Sequence, residues 1–366
     1  MYGIEIARNV KSDDGRPVFY VDGVHHAREW PAGEYPMIFA HYLVEGLNTN
    51  PEVTRLLTQG RVIIVPVVNV DGFDYSRSSP LGAQTTVDSA HGDVCGILHC
   101  EAYWRKNRRS YTEQTVPVIQ RNPDAYGVDP NRNYSYHWGG GGSTDSTLLL
   151  GDQTYRGPGP QSEPETKNVE DLILSRSVTS IITNHTYSRL VLRPWGDTDK
   201  DAPGEQYLEA LGARMAKAMG GYKNIKGIEL YVTTGSMADW GYGTLGIPSY
   251  TFEHGLAFHP PYTGCSADCV GTEWKGVMKA YMVAANAALD EQAHGIIAGK
   301  VVDSSGKPLK ATLTITKRID NPLSPGNPTG DRAYKATLRV SIDVDGSFEW
   351  HMPPSTAPYL LEDGKN

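Results

Sequence analysis

The sequence predicts a mixed α/β fold: a mostly parallel, twisted sheet with helices on both faces, followed by a small all-β sandwich at the C-terminus. Two observations carry this reading. Up to about residue 293, short apolar runs bounded by turn residues alternate with segments of helical apolar spacing. Beyond that point strand-like runs follow one another with no helix between them. Composition agrees with a folded, loop-rich body, since hydrophobic residues at 39% and charged residues at 21% lie near globular averages, and Gly 39 with Pro 24 falls short of a low-complexity chain.

In chain order, strands are expected at Val18–Val24, Arg61–Val68, Thr179–Thr183 and Pro248–Phe252, each rich in β-branched or aromatic residues. The first helix, Pro31–Leu47, opens with Pro in its first turn, where a missing N–H costs nothing. Further helices are expected at Glu163–Ser175, Glu205–Met219 and Glu273–Gln292. The C-terminal strands Ile297–Val302, Ala311–Thr316, Ala336–Ile342 and Ser347–Met352 are separated by DSSGKP, NPLSPGNPTG and DVDG. Residues 1–293 are therefore read as one domain and 294–366 as a second, of a size that folds alone only marginally. In such α/β sheets function gathers at the carboxyl ends of the strands.

Charge narrows the partners. Lys+Arg 34 against Asp+Glu 42 leaves a net charge of −8, which gives no general attraction for a phosphate backbone or anionic lipid. No nucleic-acid partner is expected. No apolar run is long enough to span a membrane, and MYGIEIARNVKSDDG has neither the apolar core nor the cleavage site of an export signal. The four cysteines fall into two close pairs, Cys95/Cys100 and Cys265/Cys269. Such spacing suits local disulfides in an oxidising compartment better than a zinc knuckle.

The strand Val18–Val24 runs directly into H-H-A-R-E-W, placing His26 and Glu29 three residues apart just past a strand end. Imidazole and carboxylate suit Zn²⁺. With 11 histidines in the chain, about one His-x-x-Glu arises by chance, so the pair needs a third donor. His185, in N-H-T-Y-S at the end of another strand, is the best placed. His91, His99 and His137 lie in Gly-rich loops, and His254 and His259 flank the last strand. Glu253, closing the apolar run Ser249 to Phe252, is the candidate general base.

The combination resembles the zinc metallocarboxypeptidases of the carboxypeptidase A type, especially bacterial secreted members with an HHARE motif. After HHAREW come, in the family's order, V-N-V-D-G, Y-W-R-K-N-R, G-V-D-P-N-R-N-Y, Y-R-G-P with S-E-P-E, H-T-Y-S with L-R-P-W-G, Y-V-T-T-G-S-M-A-D-W and Y-T-F-E, spread over residues 4–292. The resemblance implies that His26, Glu29 and His185 hold one Zn²⁺ per chain, with an open position for water and substrate. It implies that Asp129 supports the first histidine, that Glu253 is the general base and that Arg105 stabilises the oxyanion. Asn131 and Arg132 would clamp the substrate's terminal carboxylate, Tyr231 would close over it, and Arg28 would face subsites farther back on the peptide. The pocket for the C-terminal side chain would include Leu192, Gly196, Thr233, Gly235, Met237 and Thr251. Between Ser236 and Asp239 two apolar residues, Met237 and Ala238, stand where animal enzymes have one. With no acid at the pocket base unless Asp239 turns inward, apolar or aromatic C-terminal residues are the expected preference.

The resemblance further implies a secreted monomer acting on the C-termini of peptides and proteins. A catalytically silent peptide-binding protein and a cell-wall peptide peptidase on the same zinc scaffold are the competing readings. Relative to the family, a first helix and strand before Gly3 to Ile6 are absent from the chain. The segment from Gly299 to Leu313 resembles the start of transthyretin-like β-domains that follow some carboxypeptidases, with an immunoglobulin-like sandwich as the alternative.

Overall fold

Seven strands form the main sheet of the computed structural model, which describes residues 1–10, 14–78, 101–110, 127–144, 152–263, 270–319, 334–342 and 344–353. They are β1 (Ile4–Ile6), β2 (Val18–Gly23), β3 (Arg61–Val65), β4 (Val178–Thr186), β5 (Leu190–Arg193), β6 (Lys223–Lys226) and β7 (Ser249–His254), in the order β1-β3-β2-β4-β7-β5-β6. The central four, β3, β2, β4 and β7, run parallel, whereas β1 pairs antiparallel with β3 and β5 antiparallel with β7. Every residue of those four strands is buried, as expected of strands covered on both faces.

The α-helices among the described residues are α1 (Pro31–Gly46), α2 (Pro51–Gln59), α3 (Val70–Ser76), α4 (Pro164–Leu174), α5 (Glu205–Met219), α6 (Gly227–Leu230), α7 (Met237–Gly243) and α8 (Val270–Ala288). One face of the sheet meets α8: Tyr281 lies parallel to Phe252 at 5.9 Å, 6.4 Å from Phe19, and bonds to Asn184. The other face meets α7, where Gly241 sits so close to β7 that a Cβ would come within 2.4 Å of Ser249 Oγ. Alternation along β4 thus sends Asn184 toward α8 and leaves Thr183 and His185 on the α7 side.

Strands β2, β4 and β7 end at one edge of the sheet, with Asp22 opposite Thr183 and His185 opposite Glu253. At Gly23 a Cβ would lie 2.0 Å from the Ala32 carbonyl, so only glycine lets α1 fold back this tightly on the strand end. The residues squeezed between Gly23 and Pro31 are Val24 and the H-H-A-R-E-W motif.

Several boundaries differ from expectation for simple reasons. The strand expected to reach Val68 stops at Val65, because Pro66 has no N–H for the ladder. The last helix spans Val270–Ala288 rather than Glu273–Gln292. Strands β1, β5 and β6 were not anticipated: they are short, and β6 reads KNIK, with no apolar run to reveal it. Both cysteine pairs, with His91 and His99, lie outside the described residues.

The C-terminal part contains two antiparallel ladders, β8 (Gly295–Lys300) with β11 (Ser347–Met352) and β9 (Thr312–Ile319) with β10 (Tyr334–Ser341). The β8/β11 ladder docks on the main body through Trp350, which is 1% exposed and donates its indole N–H to Ser177 Oγ at 2.8 Å, while His351 N–H bonds Gly15 O at 2.9 Å. Ser177 precedes β4 and Gly15 precedes β2, so the contact lies at the amino ends of the strands, away from the edge that carries the metal motif. Trp350→Ala is expected to cost about 3–5 kcal/mol, the usual range for a buried aromatic. Denaturant unfolding checks this, and a main transition unchanged from wild type would show that the ladder adds nothing to the body's stability.

Candidate metal centre and active site

The turn after β2 and the end of β4 bring His26, Glu29 and His185 together, with one ligand atom from each within 4.8 Å of the others and all three residues buried. His26 Nδ1 lies 2.7 Å from Glu29 Oε1, and His185 Nδ1 lies 2.9 Å from Glu29 Oε2 and 3.1 Å from His26 Nδ1. Burial would raise the Glu29 carboxyl, yet the two imidazoles hold it well below the usual range. Burial lowers His185, against the pull of the Glu29 carboxylate, which raises it. Two imidazole nitrogens and a carboxylate oxygen turned toward one point are a donor set that suits Zn²⁺.

Asp129 supports this trio from behind. Its Oδ1 is 3.2 Å from His26 Nε2 and accepts from Asn131 N at 2.9 Å, while its Oδ2 accepts from Arg105 Nε at 3.0 Å and Nη2 at 2.8 Å. Burial favours the neutral acid, but Arg105, His26 and Arg132 together keep Asp129 well below the ordinary carboxylate range. An ionised Asp129 accepts a proton carried on His26 Nε2, an arrangement that leaves a lone pair on Nδ1, the nitrogen turned toward Glu29 and His185. Arg105 is itself anchored by this pair, with its Nη1 4.0 Å from Glu29 Oε1.

Glu253 stands beside His185 across the β4/β7 ladder. Burial first, then the charge of Glu29, pushes its carboxyl well above the usual range, with Arg105 and Arg132 pulling the other way. Arg132 is buried, its Nε donating to Gly142 O and its Nη1 to Asn131 O, each at 2.8 Å. Tyr231, 48% exposed just after α6, places its ring 5.8 Å from the Arg132 guanidinium. Arg28 is half-buried with its guanidinium 4.4 Å over Phe258, and burial lowers its pKa to about 10.

Of the pocket candidates, Leu192 and Thr251 face each other across the β5/β7 pairing. Met237 is fully buried in the core rather than open to a pocket, and its backbone N–H bonds Asn131 Oδ1 at 2.9 Å. Asp239 does not turn inward as a free acid, because its carboxylate accepts the Gly196 N–H at 3.0 and 3.2 Å. Burial raises it to about 7. One layer escaped the sequence reading altogether: His25, Thr183 and Tyr134, packed beneath His185. The doubled histidine in V-H-H-A-R was the available signal.

The comparisons with known proteins agree with this geometry. A family model described as "Zinc carboxypeptidase" matches residues 1–264. Mast cell carboxypeptidase A of Rattus norvegicus is 30% identical over 264 residues, covering 69% of this chain and 55% of that protein. Carboxypeptidase O of Bos taurus is 29% identical over 266 residues, covering 69% of this chain and 60% of that protein. The chain thus spans little more than half the length of these curated relatives. Among solved structures, thrombin activatable fibrinolysis inhibitor superposes with a TM-score of 0.62 at 26% identity, covering 79% of this chain and 66% of that one. Its bovine form in complex with tick carboxypeptidase inhibitor gives a TM-score of 0.60 at 25% identity, covering 79% of this chain and 85% of that one.

Proposed function

Since the chain belongs to the zinc carboxypeptidase family, we propose that it is a zinc-dependent metallocarboxypeptidase that removes the C-terminal residue of peptides and proteins, preferring apolar or aromatic side chains. The observation that carries this reading is the buried His26, Glu29 and His185 trio with Glu253 in register beside it. A secreted monomer is the form in which we place this activity, and no helix among the described residues is long and apolar enough to cross a membrane.

When bound, Zn²⁺ supplies Lewis acidity, bringing the pKa of a ligated water near 7 and polarising a carbonyl. The remaining work belongs to the chain. Glu253 takes the proton of the attacking water and delivers it to the leaving amine nitrogen. Arg105, held by Asp129, points Nη1 toward the metal trio and donates to the carbonyl oxygen as negative charge develops there. Arg132 keeps Nη2 for the terminal carboxylate, since its Nε and Nη1 are taken by carbonyls. Asn131, whose Oδ1 accepts the Met237 N–H and whose Nδ2 lies 3.4 Å from His185 Nε2, adds the second hydrogen of its amide, and Tyr231 covers the bound terminus from its exposed position.

The test is metal analysis of the purified chain combined with hydrolysis of a blocked dipeptide ending in a free Phe. One Zn²⁺ per chain and cleavage that stops with chelator are expected. Stoichiometric zinc without any cleavage would favour a silent peptide-binding protein. His185→Ala should abolish high-affinity Zn²⁺ binding, because Glu29 and His26 alone leave a two-ligand site. A His185→Ala protein that still holds one tightly bound zinc would overturn the ligand assignment.

A further inference from the structure

We infer that the outer face of α8 carries a binding groove for a small amphiphilic anion, an apolar chain that ends in a carboxylate. The groove lies apart from the metal centre, and nothing in it depends on zinc.

Helix α8 meets the sheet through Tyr281, on the face opposite α7 and His185, so the sheet stands between this helix and the metal trio. On an adjoining side of α8, Trp274, Met278, Met282 and Asn286 follow one another at four-residue spacing. Such residues share one helix face, here over about 18 Å at 1.5 Å per residue. This face, together with Tyr42 of α1 and Arg214 of α5, lines a groove of about 540 Å³. Small-molecule sites occupy roughly 300–1,000 Å³ and pair an apolar lining with a few charged groups.

The floor is apolar. Met278 and Met282 are buried, and Tyr42, Trp274 and Val283 are half-buried around them. Unbranched thioether side chains adapt readily to a flexible guest. The rim is basic, for Arg214, Lys275 and Lys279 are all exposed, and the Lys275 ammonium lies 5.8 Å from the centre of the Trp274 ring. None of these three forms an ion pair among the described residues, whereas Glu273, beside Trp274, is paired with Arg189. Arg55 adds a cation at the far end, where it donates to Asn286 Oδ1. Glu52 is the carboxylate among the described lining residues, and it offsets only one of these charges.

Lysine stems lying over apolar surface with their heads in water are ordinary. What that habit does not explain is a concave apolar floor left open between cations of two helices, in a chain whose net charge is −8. An apolar chain laid along the methionines, with its carboxylate held by the rim through charge-assisted hydrogen bonds, satisfies floor and rim together. An anionic bilayer would meet the same lysines, but the negative charge of the whole chain opposes a charged surface far more than a single small anion. A concave floor also fits a chain better than a flat surface.

Isothermal titration calorimetry of the full chain with laurate, kept below its micelle-forming concentration, is expected to show saturable binding of one laurate per chain. Dodecyltrimethylammonium has the same apolar chain and the opposite charge, and should bind at least about tenfold more weakly. Lys275→Glu combined with Lys279→Glu should weaken laurate by at least about tenfold, since two attractions become repulsions. Both side chains are exposed and remote from the metal centre, so the thermal midpoint and peptide hydrolysis should keep their wild-type values. Trp274→Ala takes away floor and leaves the rim, and should weaken both amphiphiles. No saturable laurate binding by the unaltered chain, or laurate affinity untouched by the charge reversal, would overturn the inference. If the charge-reversed chain does not fold, Arg214→Glu decides by the same criterion. Lysine-dependent sedimentation with phosphatidylcholine/phosphatidylglycerol vesicles, or lysine-dependent binding of polyglutamate, by a chain that leaves free laurate unbound would also overturn it, and would make this face a membrane or protein contact instead.

Discussion

Replacing Glu253 with Gln is expected to lower kcat by about 10²–10⁴ while Zn²⁺ stays bound and KM changes little. The amide keeps the volume and the neighbours of the carboxylate, so the register with His185 survives. What it loses is the ability to take a proton. The surroundings of Glu253 make that loss specific. Burial and the nearby charge of Glu29 push the carboxyl upward, while Arg105 and Arg132 restrain it, which is how a protein tunes an acid–base group rather than a surface carboxylate. Glu253 is also distinct from Glu29, the carboxylate proposed as ligand: Glu29 is pinned by two imidazoles at 2.7 and 2.9 Å, whereas Glu253 forms no ion pair among the described residues. Metal content and steady-state kinetics on one preparation separate the roles. A variant with wild-type turnover would show that another group is the base, and a variant that loses its zinc would show that Glu253 is a ligand.

How much of this was legible in the sequence depends on how far each partner lies along the chain and how strongly it is patterned. His26 and Glu29 announce themselves because they sit three residues apart at a strand end, and His185 because it ends a second strand. The support for Arg105 was less visible: its partner Asp129 lies 24 residues away on a separate turn, joined only by the fold. His25 was hidden by its neighbour. Only the parallel pairing of β2 with β4 reveals that its ring lies against His185. Met237 was read as pocket lining from its place in the motif, yet the helix start at Ser236 turns its side chain into the core. The edge strands failed for a related reason, since β6 has almost no apolar residue and is held by backbone pairing with β5.

The carboxylate clamp gives the other large effect. If Arg132 pairs with the terminal carboxylate, then amidating the peptide and replacing Arg132 with Ala remove two halves of one contact. Each change alone should cost about 2–5 kcal/mol in kcat/KM terms, because it leaves the other partner buried and unpaired. Both together should cost little more than either one, the non-additivity that marks a shared interaction. The structure favours this outcome because the guanidinium cannot swing elsewhere: Nε and Nη1 are held by Gly142 O and Asn131 O at 2.8 Å, and the ring of Tyr231 lies 5.8 Å away. Peptides ending in Phe or Leu keep the contribution of the Leu192 and Thr251 wall the same in every arm of the cycle. Full additivity would place the carboxylate on some other group. Equal hydrolysis of free and amidated peptides by the unaltered protein would contradict exopeptidase action itself, because a site that recognises a free terminus must lose affinity when that terminus loses its charge.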